Sequence, residues 1–200
     1  MKQILLTALL LAMALCSLAQ SDQKPKKIFI DVHNFEPGKV TPADVAAAHQ
    51  KDLATEGKYG VEFLRYWVDE EHGKIYCVST AADPDDVKKT HAEAHGMVFQ
   101  DIAEVKPGQE DPAMDGKTFY LDVHELGAGN VTADAVAEAH KKDLLIQAKQ
   151  GVNFINYWVD EKNGKVYCLS QGPSSEAVTA THKNSHGLVP KTISPVTQGQ

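Results

Sequence analysis

The chain has 200 residues, with 27 acidic and 20 basic side chains and a formal net charge of −7. Arg65 is the only Arg, so the acidic chain has no electrostatic footprint for a phosphate backbone, and nucleic acid is not an expected partner. A hydrophobic content of 42% excludes a disordered chain, three Cys are too few for a disulfide-stapled scaffold, and nine His stand out against two Trp and six Phe.

Residues 1–19 read as a secretory signal peptide: Lys2 is the positive region, Ile4 to Leu15 the apolar run, and Ser17 and Ala19 the small residues before the cleavage point. The apolar run is shorter than the roughly 20 residues needed to span a bilayer, so no permanent transmembrane anchor is expected. A lipoprotein anchor through Cys16 is the rival, disfavoured by Leu15 immediately before it. The expected destination is outside the cytosol, periplasmic or secreted. Removing Lys2 changes the net charge from −7 to −8.

After the leader, Lys27–His33 alternates apolar and polar residues as a strand does. Thr41-Pro42-Ala43-Asp44 supplies a helix N-cap, a Pro in the first turn and an acid, predicting a helix to about Lys58 that Gly60 ends. Val61–Asp69 and Lys74–Ser79 read as a hairpin turning at Glu71-His72-Gly73. Asp83-Pro84 caps a second helix that stops at Gly96, and a last strand falls near Ile102–Val105. A shift of 91 residues then repeats the pattern. Lys27–Val105 against Thr118–Val196 gives 35 identities in 79 positions. The expected domains are therefore 27–105 and 117–196, joined by the Pro-, Gly- and acid-rich linker 106–116. Each has the βαββαβ order of a ferredoxin-like unit. The expected fold is α+β, two tandem units packed as an intrachain pseudo-dimer.

Eight of the nine His are four positions used twice; His72, in a turn where the other copy has Asn163, reads as a solvated turn residue. Asp31 and His33, like Asp122 and His124, share one strand face. With the Ile28, Ile30 and Val32 face expected to meet the helices, the Asp-His pair is expected to face solvent or the other copy. Such a pair can hold a divalent cation, titrate against itself, or make structural hydrogen bonds. His91 and His95, like His182 and His186, stand four apart on a helix, a chelating spacing that also suits a helix-end His interacting with the C-terminal dipole. His49 and His140 lie on stripes expected to pack on the sheet (Val45–His49–Leu53 and Val136–His140–Leu144). That favours a hydrogen-bonded core His, with Asp52 or Asp143 as partner or second ligand. Cys77 and Cys168 read as small buried hydrophobes. Trp67 and Trp158 read as packing residues.

The set Asp-x-His on strand one, His49-Gln50-Lys51-Asp52-Leu53 on the helix, Trp67-Val68-Asp69 before the turn, then Tyr76-Cys77-Val78-Ser79, His91 and His95-Gly96 resembles the small nickel-binding, ferredoxin-like domain family long catalogued as a domain of unknown function. The resemblance covers both copies. It implies a ferredoxin-like sandwich paired with a second copy and Ni²⁺ held by His and acidic side chains. Carried over, the candidates are His33, His49, His91, His95, Asp31 and Asp52, with His124, His140, His182, His186, Asp122 and Asp143 in copy two. The chain departs from the family as a tandem fusion and in its leader.

The expected function is thus an exported divalent-metal-binding protein. Nickel comes from the resemblance, while the donor types also suit Zn²⁺ and Cu²⁺. Its imidazoles must be deprotonated to bind, so binding is expected to fail below about pH 6. Two alternatives are an enzyme using Asp31 and His33 as a base couple, and a structural or non-metal ligand-binding pseudo-dimer. The sequence has neither a Gly-rich phosphate loop nor a recognisable nucleophile motif, which weighs against an enzyme.

Overall fold

The computed structural model describes residues 24–200, so the expected leader and Cys16 lie outside the described residues. Repeat 1 comprises β1 (Lys27–Asn34), α1 (Pro42–Tyr59), β2 (Glu62–Asp69), β3 (Lys74–Ala81), α2 (Pro84–Ala94) and β4 (Asp101–Pro107). Repeat 2 comprises β5 (Thr118–Glu125), α3 (Ala133–Ile146), a 3₁₀ turn (Gln147–Gln150), β6 (Asn153–Asp160), β7 (Lys165–Gly172), α4 (Ser175–Ser185) and β8 (Thr192–Gly199). No helix among the described residues is long and apolar enough to cross a membrane.

Local chemistry sets these boundaries. At the start of α1, the Thr41 hydroxyl accepts from the Asp44 N–H (3.3 Å) and the Asp44 carboxylate accepts from the Thr41 N–H (3.1 Å), a reciprocal capping box. Repeat 2 has Ala135 where repeat 1 has Asp44; there Thr132 caps α3 without the reciprocal carboxylate, and Glu161 accepts from the Ala133 N–H at 2.7 Å.

Within each repeat the strands lie in the order 4-1-3-2, but the two sheets are not separate layers. The strand order β1-β3-β2-β8-β5-β7-β6-β4 returns to β1 and forms a closed eight-stranded antiparallel barrel, with the four helices on its outside. This corrects the expected pair of ferredoxin-like units packed against each other. A four-stranded sheet leaves unpaired N–H and C=O groups along both edges, and joining the edges of the two copies removes them. One seam pairs Lys106 with Val159 and Pro107 with Trp158. The other pairs Tyr66 with Gly199, Trp67 with Gln198 and Val68 with Thr197.

Closure also reverses the expected facing of β1. Ile30 lies in the barrel interior with Trp67, Tyr76 and Val78, together with Leu121, Trp158, Tyr167 and Leu169 of repeat 2. The Trp67 and Trp158 rings meet there at 5.1 Å between centroids. Phe29 packs on the outer side against Val61, Phe63 and Val87. Asp31 and His33 share the Phe29 side, so they point into the layer under the helices rather than away from it. The apolar Ile/Val face fills the lumen among apolar and aromatic side chains. The polar face goes where the helices carry Asp52 and His91.

Each seam ends on a close approach. A Cβ on Gly108 would lie 2.1 Å from the Tyr157 ring, and one on Gly199 2.1 Å from the Tyr66 ring. Only a glycine lets each closing strand pass beneath the tyrosine of the other repeat.

Candidate metal centre

Three elements of each repeat converge between sheet and helices. Strand β1 supplies Asp31 and His33 two residues apart, and β3 places Cys77 directly across from Asp31. Helix α1 presents His49 and Asp52 one turn apart, and α2 contributes His91 in its last turn and His95 at its C-cap. The 91-residue shift reproduces the arrangement with Asp122, His124, Cys168, His140, Asp143, His182 and His186. Asp31 and Asp122 are fully buried at 0% exposure, a costly position for an unpaired carboxylate.

In repeat 1, His91 sits between two carboxylates. Its Nδ1 lies 3.0 Å from Asp52 Oδ1, and its Nε2 lies 3.6 Å from Asp31 Oδ1. His33 Nε2 is 3.0 Å from the same Asp31 oxygen. On the outer side, His95 Nε2 is 3.1 Å from Asp52 Oδ1, and the Met97 N–H donates to His95 Nδ1 at 3.1 Å, fixing that ring. Repeat 2 has the same contacts: His182 reaches Asp122 at 3.4 Å and Asp143 at 3.3 Å, His124 reaches Asp122 at 3.2 Å, and His186 reaches Asp143 at 3.3 Å.

Each repeat therefore has an inner and an outer donor group sharing one imidazole. Asp31, His33 and His91 form one and Asp52, His91 and His95 the other; repeat 2 has Asp122, His124, Cys168 and His182, then Asp143, His182 and His186. The two groups differ in satisfaction. The outer group is hydrogen-bonded, through Asp52 to His91 and His95. In the inner group, both Asp31 oxygens and His91 Nε2 have no hydrogen-bond partner among the described residues, and neither do Asp122 Oδ1 and His124 Nδ1 in repeat 2. Donors 3.0–3.6 Å apart suit neighbouring ligands of a first-row divalent cation with bonds of about 2.0–2.2 Å. His91 then has the usual pose of a ligating His, with Nδ1–H on a carboxylate and Nε2 directed at the ion. The residues fit a divalent cation at the inner group, and when bound it would supply the positive charge that the buried carboxylates lack.

Without an ion, a proton takes that place. Burial would lower the His91 pKa, but the negative charges of Asp31 and Asp52 and the hydrogen bond to Asp52 outweigh it and raise it to about 9. His182 rises to about 10 for the same reasons. Burial would raise Asp31 and Asp52, yet their imidazole partners hold both below the usual carboxylate range. Burial pushes the Cys77 and Cys168 thiols well up.

His49 and His140 join neither group. Their Nε2 atoms are buried without a partner among the described residues, and burial lowers both pKa values. Each ring packs on the nearby Tyr, 4.9 Å from Tyr66 and 4.7 Å from Tyr157. Both line a cavity over the donors, of about 140 Å³ in repeat 1 and about 120 Å³ in repeat 2. Of the expected stripe partners, Val45 is buried and Leu53 is exposed.

Two features were not singled out from the sequence as part of the site. Cys168 stands within the inner group of repeat 2, and both cysteines are free. The signal was its place on strand three opposite the Asp of strand one. Ser185 donates a short hydrogen bond to Asp143; repeat 1 has Ala94 there, a difference visible in the repeat alignment. His72 is not merely solvated: its Nδ1 lies 3.0 Å from Asp69 Oδ2 and 3.2 Å from Ser194 Oγ.

Several solved structures are similar to this chain. A crystal structure of SCO4226 from Streptomyces coelicolor A3(2) is 36% identical over 38% of this chain and 93% of its own, with a TM-score of 0.37. A putative monooxygenase from Lactobacillus acidophilus NCFM is 11% identical over 88% of this chain and 94% of its own (TM-score 0.49). Chlorite dismutase from Candidatus Nitrospira defluvii in complex with imidazole is 8% identical over 86% and 90% (TM-score 0.46). No curated protein matches the chain. Residues 29–105 and 120–196 each match the family described as "Nickel responsive protein SCO4226-like", so the chain is a tandem member of that family.

Proposed function

We propose that this is an exported nickel-binding protein that holds one ion at the inner group of each repeat. Asp31, His33 and His91 are the ligands in repeat 1; Asp122, His124 and His182, with Cys168 beside them, are those of repeat 2. Asp52 and Asp143 act through the shared imidazole by holding its Nδ1–H, and His95 and His186 support those carboxylates in turn. The observation that carries the reading is the orphaned inner group of repeat 1: buried oxygens and an imidazole nitrogen 3.0–3.6 Å apart that do not satisfy one another, with Asp122 Oδ1 likewise orphaned in repeat 2. Nickel rests on the family, and export on the leader-like residues 1–19. Affinity alone would favour Cu²⁺ over Ni²⁺ at such a site, so selectivity has to come from geometry or supply.

Calorimetric titration of the metal-free protein with Ni²⁺, Zn²⁺ and Cu²⁺, with elemental analysis, tests the reading. Two Ni²⁺ per chain are expected, falling to one in His91→Ala or His182→Ala. Retention of both ions in His91→Ala would remove the assignment, and no uptake of any of the three metals would remove the function. N-terminal sequencing of the protein recovered outside the cytosol tests export, with a new terminus at Gln20 expected.

A further inference from the structure

We propose that the cavity over each donor group takes a small bidentate carboxylate as co-ligand of the bound cation, so that the protein holds a metal chelate rather than a bare ion. The inference rests on the metal-binding reading above and goes beyond it by naming a second ligand.

Three observations carry it. The first is coordination. The inner group of repeat 1 offers three donors, so a cation taking four to six ligands keeps open positions. His33, His91 and Cys77 all line the cavity, whereas Asp31 lies behind them, so open positions would be met from the cavity side.

The second is size and lining. Volumes of about 140 and 120 Å³ exceed what the missing ligands would need as water, at roughly 30 Å³ per molecule. They approach the cavity of about 150 Å³ that accepts benzene, a molecule of roughly six heavy atoms. Val40, Val45, Tyr66 and Ile75 wall it in repeat 1, and Val131, Val136, Tyr157 and Val166 in repeat 2. The lining also holds His33, His49, Asp52, His91 and His95 in repeat 1, so an occupant has to offer polar atoms as well as carbon. A short carbon skeleton bearing oxygen donors meets both kinds of lining.

The third is the polar point opposite the donors. His49 and His140 are 5% and 7% exposed, line the cavities, and have Nε2 atoms without a partner among the described residues. An imidazole nitrogen there answers a hydroxyl or carboxylate of the co-ligand. The rim of repeat 1 carries the exposed Lys39 and Asp44, where repeat 2 has the neutral Asn130 and Ala135. A carboxylate with a second oxygen donor and a short apolar tail meets these features together in both repeats. Binding exchanges water on the cation for the two oxygens, and no bond within the co-ligand changes.

The probe is lactate, an α-hydroxycarboxylate of the right size, with acetate as the control that cannot chelate. The full mature chain is first titrated with Ni²⁺ alone, then the Ni²⁺-loaded and metal-free forms are titrated with each acid by calorimetry. Lactate is expected to saturate the loaded form at one per bound ion and to leave the metal-free form silent. Acetate should bind about tenfold more weakly. Ala48→Leu, which narrows the repeat 1 cavity, should halve the lactate stoichiometry while Ni²⁺ still loads fully. Should that variant fail to fold, Ala139→Leu makes the same test in repeat 2. Lys39→Met, at the surface, should weaken the lactate site of repeat 1 by about twofold to fivefold. Full Ni²⁺ loading with no lactate heat, equal heats with metal-free protein, or acetate binding as well as lactate overturns the co-ligand while sparing the metal site. No Ni²⁺ uptake in the first titration overturns the metal reading, and the co-ligand with it.

Discussion

Repeat 1 holds its outer carboxylate with two imidazoles, whereas repeat 2 adds a hydroxyl: Asp143 accepts from Ser185 as well as facing His182 and His186, while Asp52 has His91 and His95 alone. At the inner group repeat 2 again has the extra neutral neighbour. Asp31 has its imidazoles at 3.0 and 3.6 Å and no thiol within the group, while Asp122 has them at 3.2 and 3.4 Å with Cys168 close by. The duplicated plan is thus kept in its ionisable groups and relaxed in their neutral neighbours. Exchanging a charged ligand leaves a buried charge unmatched, whereas exchanging alanine for serine adjusts a balance that already exists.

The shared imidazole is where the comparison breaks most sharply. His91→Ala leaves Asp31 and Asp52, at 0% and 4% exposure, without the cation between them. Removing one partner of a buried pair costs about 3–5 kcal/mol. His182→Ala should cost less, because Ser185 still serves Asp143. Urea unfolding of the two metal-free variants checks this, and a larger loss for His182→Ala would show that the hydroxyl does not share the load.

The pH dependence of the metal-free protein follows from the same imidazoles. A His whose pKa is raised on folding stabilises the fold fully below its unfolded value of about 6.5, and that contribution disappears as pH rises through the folded value. It is therefore lost through about pH 9 in repeat 1 and about pH 10 in repeat 2. The lowered carboxyls work oppositely: what Asp31 and Asp52 contribute is present above about 3.8 and lost as pH falls. Stability should accordingly fall at both ends, with the alkaline loss spread between pH 6.5 and 10. Bound Ni²⁺ displaces the imidazole proton, so loaded protein should lose the alkaline transition, and uptake at pH 7 should release protons. Melting curves with and without Ni²⁺ at pH 6, 8 and 9.5 read both effects. The expected weakening of binding below pH 6 is thereby extended: proton competition at His91 continues to about pH 9.

How far the sequence reaches can be judged from these same residues. The 91-residue shift, the two N-caps at Thr41 and Asp83, and the Gly60 stop place the elements of repeat 1, because capping and left-handed glycine are local effects. Asp52 as partner of a histidine was also legible, but the histidine proved to be His91 on another helix rather than His49 on its own. Barrel closure was hidden because it depends on Lys106-Pro107 and Thr197–Gly199, which lie outside the repeated stretch and read as linker and tail. The facing of Asp31 followed from closure. Once the lumen is filled by apolar and aromatic side chains, Ile30 belongs inside and Asp31 beneath the helices.

The seams allow a smaller test of that closure. Gly108→Ala and Gly199→Ala both force a methyl into the facing tyrosine ring, an overpacking that costs about 1–3 kcal/mol. Gly108 should cost more, since its N–H donates to the Tyr157 carbonyl at 2.7 Å and the following chain is tied down again by Asp111 on Ile155. Equal and negligible losses in thermal melts would mean that the seams open readily.

The smallest expected effect separates the two outer groups directly. Ser185→Ala gives repeat 2 the residue that repeat 1 carries at Ala94, and Ala94→Ser makes the reverse exchange. A hydrogen bond to a charged group contributes about 1.5–3 kcal/mol at most, and here two imidazoles already satisfy Asp143, so a loss near 1 kcal/mol is expected. The informative readout is the proton rather than the melt. Hydroxyl and imidazolium both stabilise the same carboxylate, so removing Ser185 should leave Asp143 leaning harder on His182, raising that imidazole's pKa and weakening Ni²⁺ uptake at repeat 2 near neutral pH. Histidine NMR titration of Ser185→Ala decides the matter: an unchanged or lowered His182 pKa would mean that the hydroxyl orders the loop after α4 and takes no part in setting the charge of the site.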